Sequence, residues 1–465
     1  MFRALLLLLG LTALAACASL KAQENTRLDT AAGEGGGYRL DNLSTARSAD
    51  ELLVVVAFTG GGKRSAAFAY GAMTALRDMK FVYGGRERSL LHEIDVLSGV
   101  SGGSFPAAYY ALHGDTIFQD FHRDFLDEDF NDDIAGIYLL PWHWDWMFSG
   151  QWGTNDEMAE IYDRLMFHGA TFGDLVKRGP PFAMIQATDL ANGAAFPFVQ
   201  NQFDLICSDL SSYPIARAVA ASNGFPILFT PITLKNYTAN CPHADPAWVA
   251  HALADPDPLS RQRQQAVLAR RYLRDDAARY VHLVDGGVGD NMAMRGILDY
   301  MARYDNPEHA AKEADTSATM RIRRVLFLSI DGQAGKDKEI STTPVVGDIL
   351  RIVNAVSSNT IDAYNFETLR LARTAARNLA ENLTRSRCAA GRGPGARGDM
   401  MHISLVDLPN ADSLKNIPTG LSLDPAEVEA LIEAGRYAVL SNRQLRQAIE
   451  TIDAPDPCPK QTALR

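Results

Sequence analysis

One short stretch of this sequence constrains the fold more than any other. An apolar run from Ile94 to Val100 ends in Gly99-Val100-Ser101-Gly102-Gly103, and an apolar helical run from Phe105 to Leu112 follows. A strand, a sharp turn and a helix with G-x-S-x-G at the turn form a nucleophile elbow. The glycines, Gly99 and Gly103 among them, allow the tight backbone and keep side chains off the hydroxyl. Ser101 is therefore the candidate nucleophile, and the alternative is an ordinary glycine-rich turn.

A second glycine-rich turn follows the first predicted strand. The continuous apolar run from Leu52 to Phe58 is typical of a strand buried on both faces, and Gly60-Gly61-Gly62 leads from it into an apolar helix. Free N–H groups at a helix start suit an anion. A phosphate-binding P-loop would need Gly at Ala57 and Ser or Thr at Arg64, so we expect an oxyanion hole built from the N–H groups of Gly60, Gly61 and Gly62. The alternative is a loop without a ligand.

Two cations follow these glycines. We expect Lys63 and Arg64 at the mouth of the site, where they could meet a lipid phosphate. Solvated loop cations are the alternative.

A carboxylate follows another predicted strand. Tyr280 to Val284 ends at Asp285-Gly286-Gly287. A carboxylate at the carboxyl end of a central strand lies at the edge of the sheet where doubly wound folds place their sites. Asp285 is therefore the candidate partner of Ser101.

Together these segments resemble the patatin-like phospholipases. The resemblance covers Leu52 to about Asp331 and rests on five blocks in the family's order: Gly60-Gly61-Gly62-Lys63-Arg64, Gly99-Val100-Ser101-Gly102-Gly103, Ala187-Thr188-Asp189, Ala221-Ser222 through Pro226 and Phe229, and Asp285-Gly286-Gly287. One departure is Ser65, where the family usually has Gly.

The resemblance implies a three-layer α/β fold, with a central, mostly parallel sheet flanked by helices and a C-terminal helical extension. It also implies a lipid acyl hydrolase in which Asp285 takes the proton of Ser101 and an acyl-enzyme forms, with membrane phospholipids as substrate and no metal or cofactor. Two other hypotheses stay open. One is an α/β-hydrolase triad of Ser101, an acid and His402, and the other is a non-catalytic lipid-binding or scaffold protein.

The chain divides into four expected regions. Residues 1–16 are a signal peptide, and 17–50 form a polar, glycine-dotted flexible tether. Residues 51–335 form the catalytic domain, with insertions at about 118–153 and 241–279. Residues 336–465 form a mainly helical C-terminal region.

The first residues predict export. A cationic start and a short apolar run from Ala4 to Leu14 precede Leu14-Ala15-Ala16-Cys17, which resembles a bacterial lipobox. The resemblance implies cleavage before Cys17 and its lipidation, and Ala18 rather than Asp favours the outer membrane, with the domain facing the periplasm. The alternative is an ordinary secretory signal with Cys17 discarded.

Charge and cysteine content narrow the partners further. A net charge of −11 in 465 residues disfavours nucleic acid as a partner. Four cysteines remain after Cys17, an even number that suggests two disulfides in an oxidising compartment. Nearness in the chain favours Cys207 with Cys241 and Cys388 with Cys458. The oligomeric state stays open.

Overall fold

The structure is a computed structural model. It describes residues 24–28, 36–42, 51–140, 143–144, 147, 149, 152–226, 228–241, 246–274, 278–304, 321–333, 338–342, 344, 349–409 and 411–458. The expected signal peptide and Cys17 lie outside the described residues.

The described residues form strands and helices that alternate along most of the chain. The strands are β1 (Thr26–Arg27), β2 (Leu52–Phe58), β3 (Lys80–Tyr83), β4 (Arg86–Ser89), β5 (Ile94–Val100), β6 (Phe182–Asp189), β7 (Ala194–Pro197), β8 (Ser208–Asp209), β9 (Ile232–Lys235), β10 (Tyr280–Val284), β11 (Arg324–Asp331) and β12 (Arg397–Ser404). The α-helices are α1 (Gly62–Asp78), α2 (Ser104–His113), α3 (Ile117–Phe121), α4 (Phe130–Leu139), α5 (Thr154–Tyr162), α6 (Phe172–Arg178), α7 (Gln200–Phe203), α8 (Ile215–Ser222), α9 (Ala247–Leu253), α10 (Arg261–Arg274), α11 (Gly287–Asp290), α12 (Arg295–Tyr304), α13 (Ile349–Ala389), α14 (Pro425–Ser441) and α15 (Arg443–Glu450).

An eight-stranded sheet forms the centre of the molecule. Its order is β12-β11-β2-β5-β6-β10-β9, with β7 also paired to β6. The five strands from β12 to β6 are parallel, while β7, β9 and β10 join by antiparallel pairing. Every residue of β5, β6 and β11 is buried, because helices cover both faces. The expected α/β class, with a mostly parallel sheet flanked by helices, is confirmed.

Strand β6 pairs with two strands, β5 and β10, along the same edge, and with β7 along the other. Its residue Gln186 pairs with both β5 and β7, so those two strands lie on opposite edges. Thr188 pairs with both β7 and β10, so β10 lies on the same edge as β5. Strand β10 therefore approaches the end of β5 from the opposite direction. Asp285 follows the carboxyl end of β10, as expected, but β10 runs antiparallel to β6 and so differs from the strands of a doubly wound sheet.

The C-terminal region belongs to the same core. Strand β12 pairs with β11 along its whole length, from Arg397 to Ser404. Helix α14 packs on α1 so closely that a Cβ atom at Gly71 would lie 1.9 Å from the Ile432 carbonyl oxygen, and one at Gly435 would lie 2.0 Å from that of Phe68. Strand β12 therefore extends the sheet at one edge, and α14 covers the first helix.

Parts of the expected tether are packed on the domain. Tyr38 is buried, its ring stacks on Phe182 at 4.2 Å, and its hydroxyl donates to the Ala183 carbonyl at 3.0 Å. Arg39 forms an ion pair with Asp204 at 2.7 Å. The prediction of a flexible tether is therefore wrong for residues 36–42, where one aromatic ring and one cation find partners far along the chain.

Two disulfides join segments distant in sequence. They link Cys207 to Cys241 and Cys388 to Cys458, the pairing that nearness in the chain favours. The expected insertions also contribute buried residues: Phe121, Phe125 and Phe130 from the first and Tyr272 from the second. Among the described helices, none has both the length and the apolar character needed to cross a bilayer.

The contact between α1 and α14 can be tested with two glycine substitutions. We expect Gly435→Ala to lower the free energy of unfolding by about 2 kcal/mol or more, because the added methyl meets a backbone oxygen rather than a flexible side chain. Gly136→Ala in α4 is the matched control. Its methyl meets only Leu140 at 3.5 Å, so replacing a helical glycine should stabilise by about 0.5–1 kcal/mol. Urea unfolding of both variants measures the difference, and equal effects would show that α14 is not part of the core.

Candidate active site

The ends of β5 and β10 bring Ser101 and Asp285 together. Val100 pairs with Gln186 of β6, and Val284 pairs with Thr188, so the next residue of each strand faces the position between them. The Ser101 hydroxyl donates a hydrogen bond of 2.7 Å to Oδ2 of Asp285. Both residues are buried. The structure thus joins the two predicted residues across 184 positions of sequence.

The elbow depends on its glycines for a specific reason. Ser101 has a positive φ of 50°, a strained conformation for a residue with a side chain. A Cβ atom at Gly102 would lie 1.9 Å from the Gly62 carbonyl oxygen, and one at Gly103 would lie 2.5 Å from that of Phe58. At Gly99 it would lie 2.6 Å from the Gly103 carbonyl oxygen. The elbow therefore touches the glycine loop directly, which only residues without a side chain permit.

The Asp285 carboxylate is held in a buried setting. Its Oδ1 accepts a hydrogen bond of 2.7 Å from the Gly287 N–H. Gly286 packs against β5 and β6, where a Cβ atom would lie 2.1 Å from Val100 and 2.2 Å from the Gln186 carbonyl oxygen. Burial raises the pKa of Asp285 to about 6, and the hydrogen bonds from Ser101 and Gly287 oppose that rise. A carboxylate with this pKa is a stronger base than an exposed aspartate and is still ionised at neutral pH.

The glycine loop supplies fewer donors than expected. The Gly60 N–H donates to the Asn291 carbonyl at 3.2 Å, so the prediction of Gly60 as an oxyanion donor is wrong. The N–H groups of Gly61 and Gly62 have no acceptor among the described residues, and they stand at the start of α1. Both glycines have positive φ, 141° and 61°. These two free amides, at the positive end of a helix, remain as candidate anion donors.

Lys63 and Arg64 are not at the mouth of the site. Both side chains are almost fully buried. Lys63 Nζ donates to the carbonyls of Leu126, at 3.2 Å, and Glu128. Burial lowers the pKa of Lys63 to about 8, with nearby acidic groups, Asp129 foremost, opposing it. The expectation that Lys63 meets a lipid phosphate is therefore wrong, because its ammonium group donates hydrogen bonds to backbone carbonyls of the first insertion.

Arg64 joins the site to the C-terminal region. It donates to the carbonyls of Gly332 at 2.9 Å and Ile417 at 2.6 Å, and to the Thr419 hydroxyl at 2.9 Å. Burial lowers its pKa to about 10, and Asp331 opposes that shift. Arg64 therefore holds the start of α1 in place rather than facing substrate.

Residues around Ser222 surround the nucleophile, and sequence reasoning gave them no role. The Ser222 hydroxyl accepts from the Ser101 N–H at 2.9 Å and donates to the Gln186 carbonyl at 2.6 Å. The Asn223 side chain lies 3.3 Å from Ser101 Oγ and 3.3 Å from the Tyr162 hydroxyl. The available signal was a polar Ser-Asn pair in a turn between an apolar helix and a proline.

His402 lies away from the nucleophile. It is on β12, three strand spacings from β5, or about 14 Å. Its Nε2 lies 3.5 Å from Asp331 Oδ2, and its Nδ1 lies 3.4 Å from Ser329 Oγ. The structure therefore does not bring His402 to Ser101 or Asp285. Within the described ranges, no group of three or more His, Cys, Asp and Glu side chains has the arrangement of a metal site.

The fold and the site define an α/β protein with a serine and a carboxylate side by side at a strand-to-helix elbow. A family model described as Patatin-like phospholipase matches residues 56–297, which is more than half of the chain. The chain belongs to the patatin-like phospholipase family, so the resemblance in its motifs is confirmed.

Among solved structures, human GIVD cytosolic phospholipase A2 is similar to this chain, with 11% sequence identity and a TM-score of 0.42. The match covers 88% of this chain and 65% of that protein, so the chain spans less than two thirds of its length. No curated protein sequence matches the chain.

The raised pKa of Asp285 has a consequence for stability. Since the folded-state pKa lies above the unfolded one, this carboxyl stabilises the fold at low pH, and that contribution is lost as the pH rises through about 6. We expect Asp285→Asn, which cannot ionise, to gain stability relative to wild type by about 1–2 kcal/mol between pH 5 and pH 8. Urea unfolding at both pH values measures this change. A difference from wild type that stays constant between the two pH values would contradict the prediction.

Proposed function

We propose that this protein is a lipid acyl hydrolase in which Ser101 is the nucleophile and Asp285 the general base. The observation that carries the proposal is the 2.7 Å hydrogen bond from the Ser101 hydroxyl to the Asp285 carboxylate. The elbow contacts the glycine loop, where the Gly61 and Gly62 amides have no acceptor in the part of the chain that the structure describes. Family membership supports lipid acyl hydrolysis in general. The free amides and the dyad support this particular chemistry.

The proposed reaction has two halves. Ser101 Oγ attacks the ester carbonyl carbon while its proton passes to Asp285 Oδ2, and the carbonyl electron pair moves onto oxygen. The N–H groups of Gly61 and Gly62 stabilise that oxyanion. Collapse expels the alcohol, which takes the proton from Asp285 and leaves an acyl-enzyme. Water then attacks the acyl carbon, gives a proton to Asp285, and releases the fatty acid as Ser101 regains its proton.

The surface near the nucleophile supports an apolar substrate. The turn after Asn223 exposes Phe225 by 43% and Leu228 by 46%. The end of α4 lies beside this turn, since the Tyr138 hydroxyl donates to the Leu228 carbonyl. There Leu139 is 73% exposed, and Met147 farther along is 49% exposed. Exposed apolar side chains around a site are typical of lipid or protein contacts, and here they support phospholipid acyl esters as substrate.

The serine chemistry can be tested with an activity-based fluorophosphonate probe and with lipid mass spectrometry. We expect the full-length protein in detergent to be labelled and to release fatty acid from phosphatidylethanolamine vesicles. Ser101→Ala should abolish both, and Asp285→Asn should lower the labelling rate at least about a hundredfold, since the base is lost. His402→Ala is the matched control and should retain activity. A folded wild type that neither labels nor hydrolyses would favour a lipid-binding scaffold, and loss of activity in His402→Ala would favour a triad.

We also propose that the protein is exported and lipid-anchored at Cys17 in the outer membrane. The lipobox-like Leu14-Ala15-Ala16-Cys17 supports the anchor, and two disulfides are typical of proteins from oxidising compartments. Several acyl chains on one residue would bind the membrane firmly.

The anchor predicts distinct effects of two neighbouring substitutions. In a bacterial host, Cys17→Ala should abolish incorporation of an alkyne fatty acid and move the protein into the aqueous phase of a Triton X-114 partition. Ala18→Asp should leave acylation intact and shift the protein from the outer to the inner membrane fraction. Unchanged acylation in Cys17→Ala would contradict the anchor.

A further inference from the structure

A buried chain of polar groups lies behind the nucleophile and is not used by the proposed dyad. The Asn223 side-chain amide lies between the Ser101 hydroxyl and the Tyr162 hydroxyl, 3.3 Å from each. Ser101, Asn223 and Tyr162 are 7%, 6% and 1% exposed. Groups this deeply buried must satisfy one another, because water cannot replace a missing partner.

The number of hydroxyl protons that need an acceptor decides the orientation of the Asn223 side-chain amide. The oxygen and nitrogen of an Asn side chain are assigned from their hydrogen bonds rather than from their positions. If the oxygen faces Ser101, the serine proton has two competing acceptors, Asp285 at 2.7 Å and Asn223 at 3.3 Å. The Tyr162 hydroxyl then only accepts from Asn223, and its own proton finds no acceptor among the described residues. That arrangement leaves a buried donor unsatisfied.

The opposite orientation gives both hydroxyl protons an acceptor with the same contacts. The Tyr162 hydroxyl donates to Asn223 Oδ1, Asn223 Nδ2 donates to Ser101 Oγ, and Ser101 donates to Asp285. One lone pair of the serine oxygen is then occupied by the amide. The other lone pair is left for the substrate.

We propose that Asn223 is a further catalytic residue, whose amide donates a hydrogen bond to the nucleophilic oxygen of Ser101, and that Tyr162 is a positioning residue that orients this amide. The inference rests on the proposed function of Ser101. As the serine proton passes to Asp285, negative charge grows on Oγ and the bond from Asn223 strengthens. The amide therefore stabilises the transition state more than the resting enzyme.

The surroundings of Tyr162 and Asn223 fix the positions of both side chains. The Tyr162 ring makes edge contacts with Phe105 at 4.9 Å and Phe130 at 5.7 Å. The backbone N–H of Asn223 donates to the Val219 carbonyl at 3.0 Å, at the end of α8. Phe105 belongs to α2, the helix that starts at the elbow. The nucleophile and the residue that orients its amide are therefore held by one packed cluster.

The test uses the full-length protein with Asn223→Ala, which removes the donor, and with Asn223→Asp, which keeps the side-chain shape and replaces the amide with a carboxyl group. We expect each to lower kcat about tenfold to a hundredfold with KM within a factor of about two, because the lost hydrogen bond is stronger in the transition state than in the resting enzyme. In Asn223→Ala the pH midpoint of kcat/KM should stay where it is in wild type. A merely structural role would admit water to Asp285 and lower that midpoint.

Tyr162→Phe tests the orientation, with Tyr213→Phe as the matched control. Both tyrosines are buried, and the Tyr213 hydroxyl has no hydrogen-bond partner among the described residues. We expect Tyr162→Phe to lower kcat about threefold to tenfold, since the amide loses the donor that orients it, and Tyr213→Phe to match wild type.

The outcomes separate this inference from the proposed function. Labelling of wild type but not of Ser101→Ala establishes the nucleophile first. If Asn223→Ala and Asn223→Asp then label at the wild-type rate, or if Tyr162→Phe equals Tyr213→Phe, the inference is overturned while the hydrolase proposal stands. A wild type that does not label overturns both.

Discussion

The site depends on one register constraint along the edge of β6. Strand β5 runs towards the carboxyl end of β6 and stops at Val100, and β10 runs the opposite way and stops at Val284. Because the two strands share an edge and stop on either side of Ala187, their next residues must meet. A slip of one residue in either strand would turn its side chains to the other face of the sheet and separate Ser101 from Asp285.

The same constraint explains why glycines surround the site. The turns after β2, β5 and β10 converge on one point, and their backbones touch there. The contact of Gly102 with the Gly62 carbonyl and that of Gly286 with the Gln186 carbonyl leave no room for a Cβ atom. Close backbone packing excludes water, and this exclusion raises the pKa of Asp285. The close backbone packing therefore determines both the geometry of the site and the raised pKa of Asp285.

The features that could be predicted from the sequence are those that depend on a short local pattern of residues. The elbow at Ser101, the turn at Asp285 and the buried strands follow from short apolar runs ended by glycines. Four features could not be predicted, because each depends on a partner distant in the chain. These are the use of the Gly60 amide by Asn291, the burial of Lys63 against Leu126, the packing of Tyr38 on Phe182 and the antiparallel direction of β10. Sequence pattern does not reveal such distant partners. For this reason Lys63 and Arg64, two cations after a glycine loop, were expected at the entrance of the site.

The donors of the glycine loop are themselves held by residues far along the chain. The carbonyl of Gly420 accepts from the Lys63 N–H at 2.8 Å, and a Cβ atom at Gly62 would lie 2.4 Å from the same oxygen. Arg64 binds the neighbouring Ile417 carbonyl, and β12 and α14 hold this segment on the sheet. Since the segment with Ile417 and Gly420 contacts Gly62, Lys63 and Arg64, the C-terminal region supports the glycine loop beside Ser101. The motifs end at Gly287, but the structure that positions them continues through α14 (Pro425–Ser441).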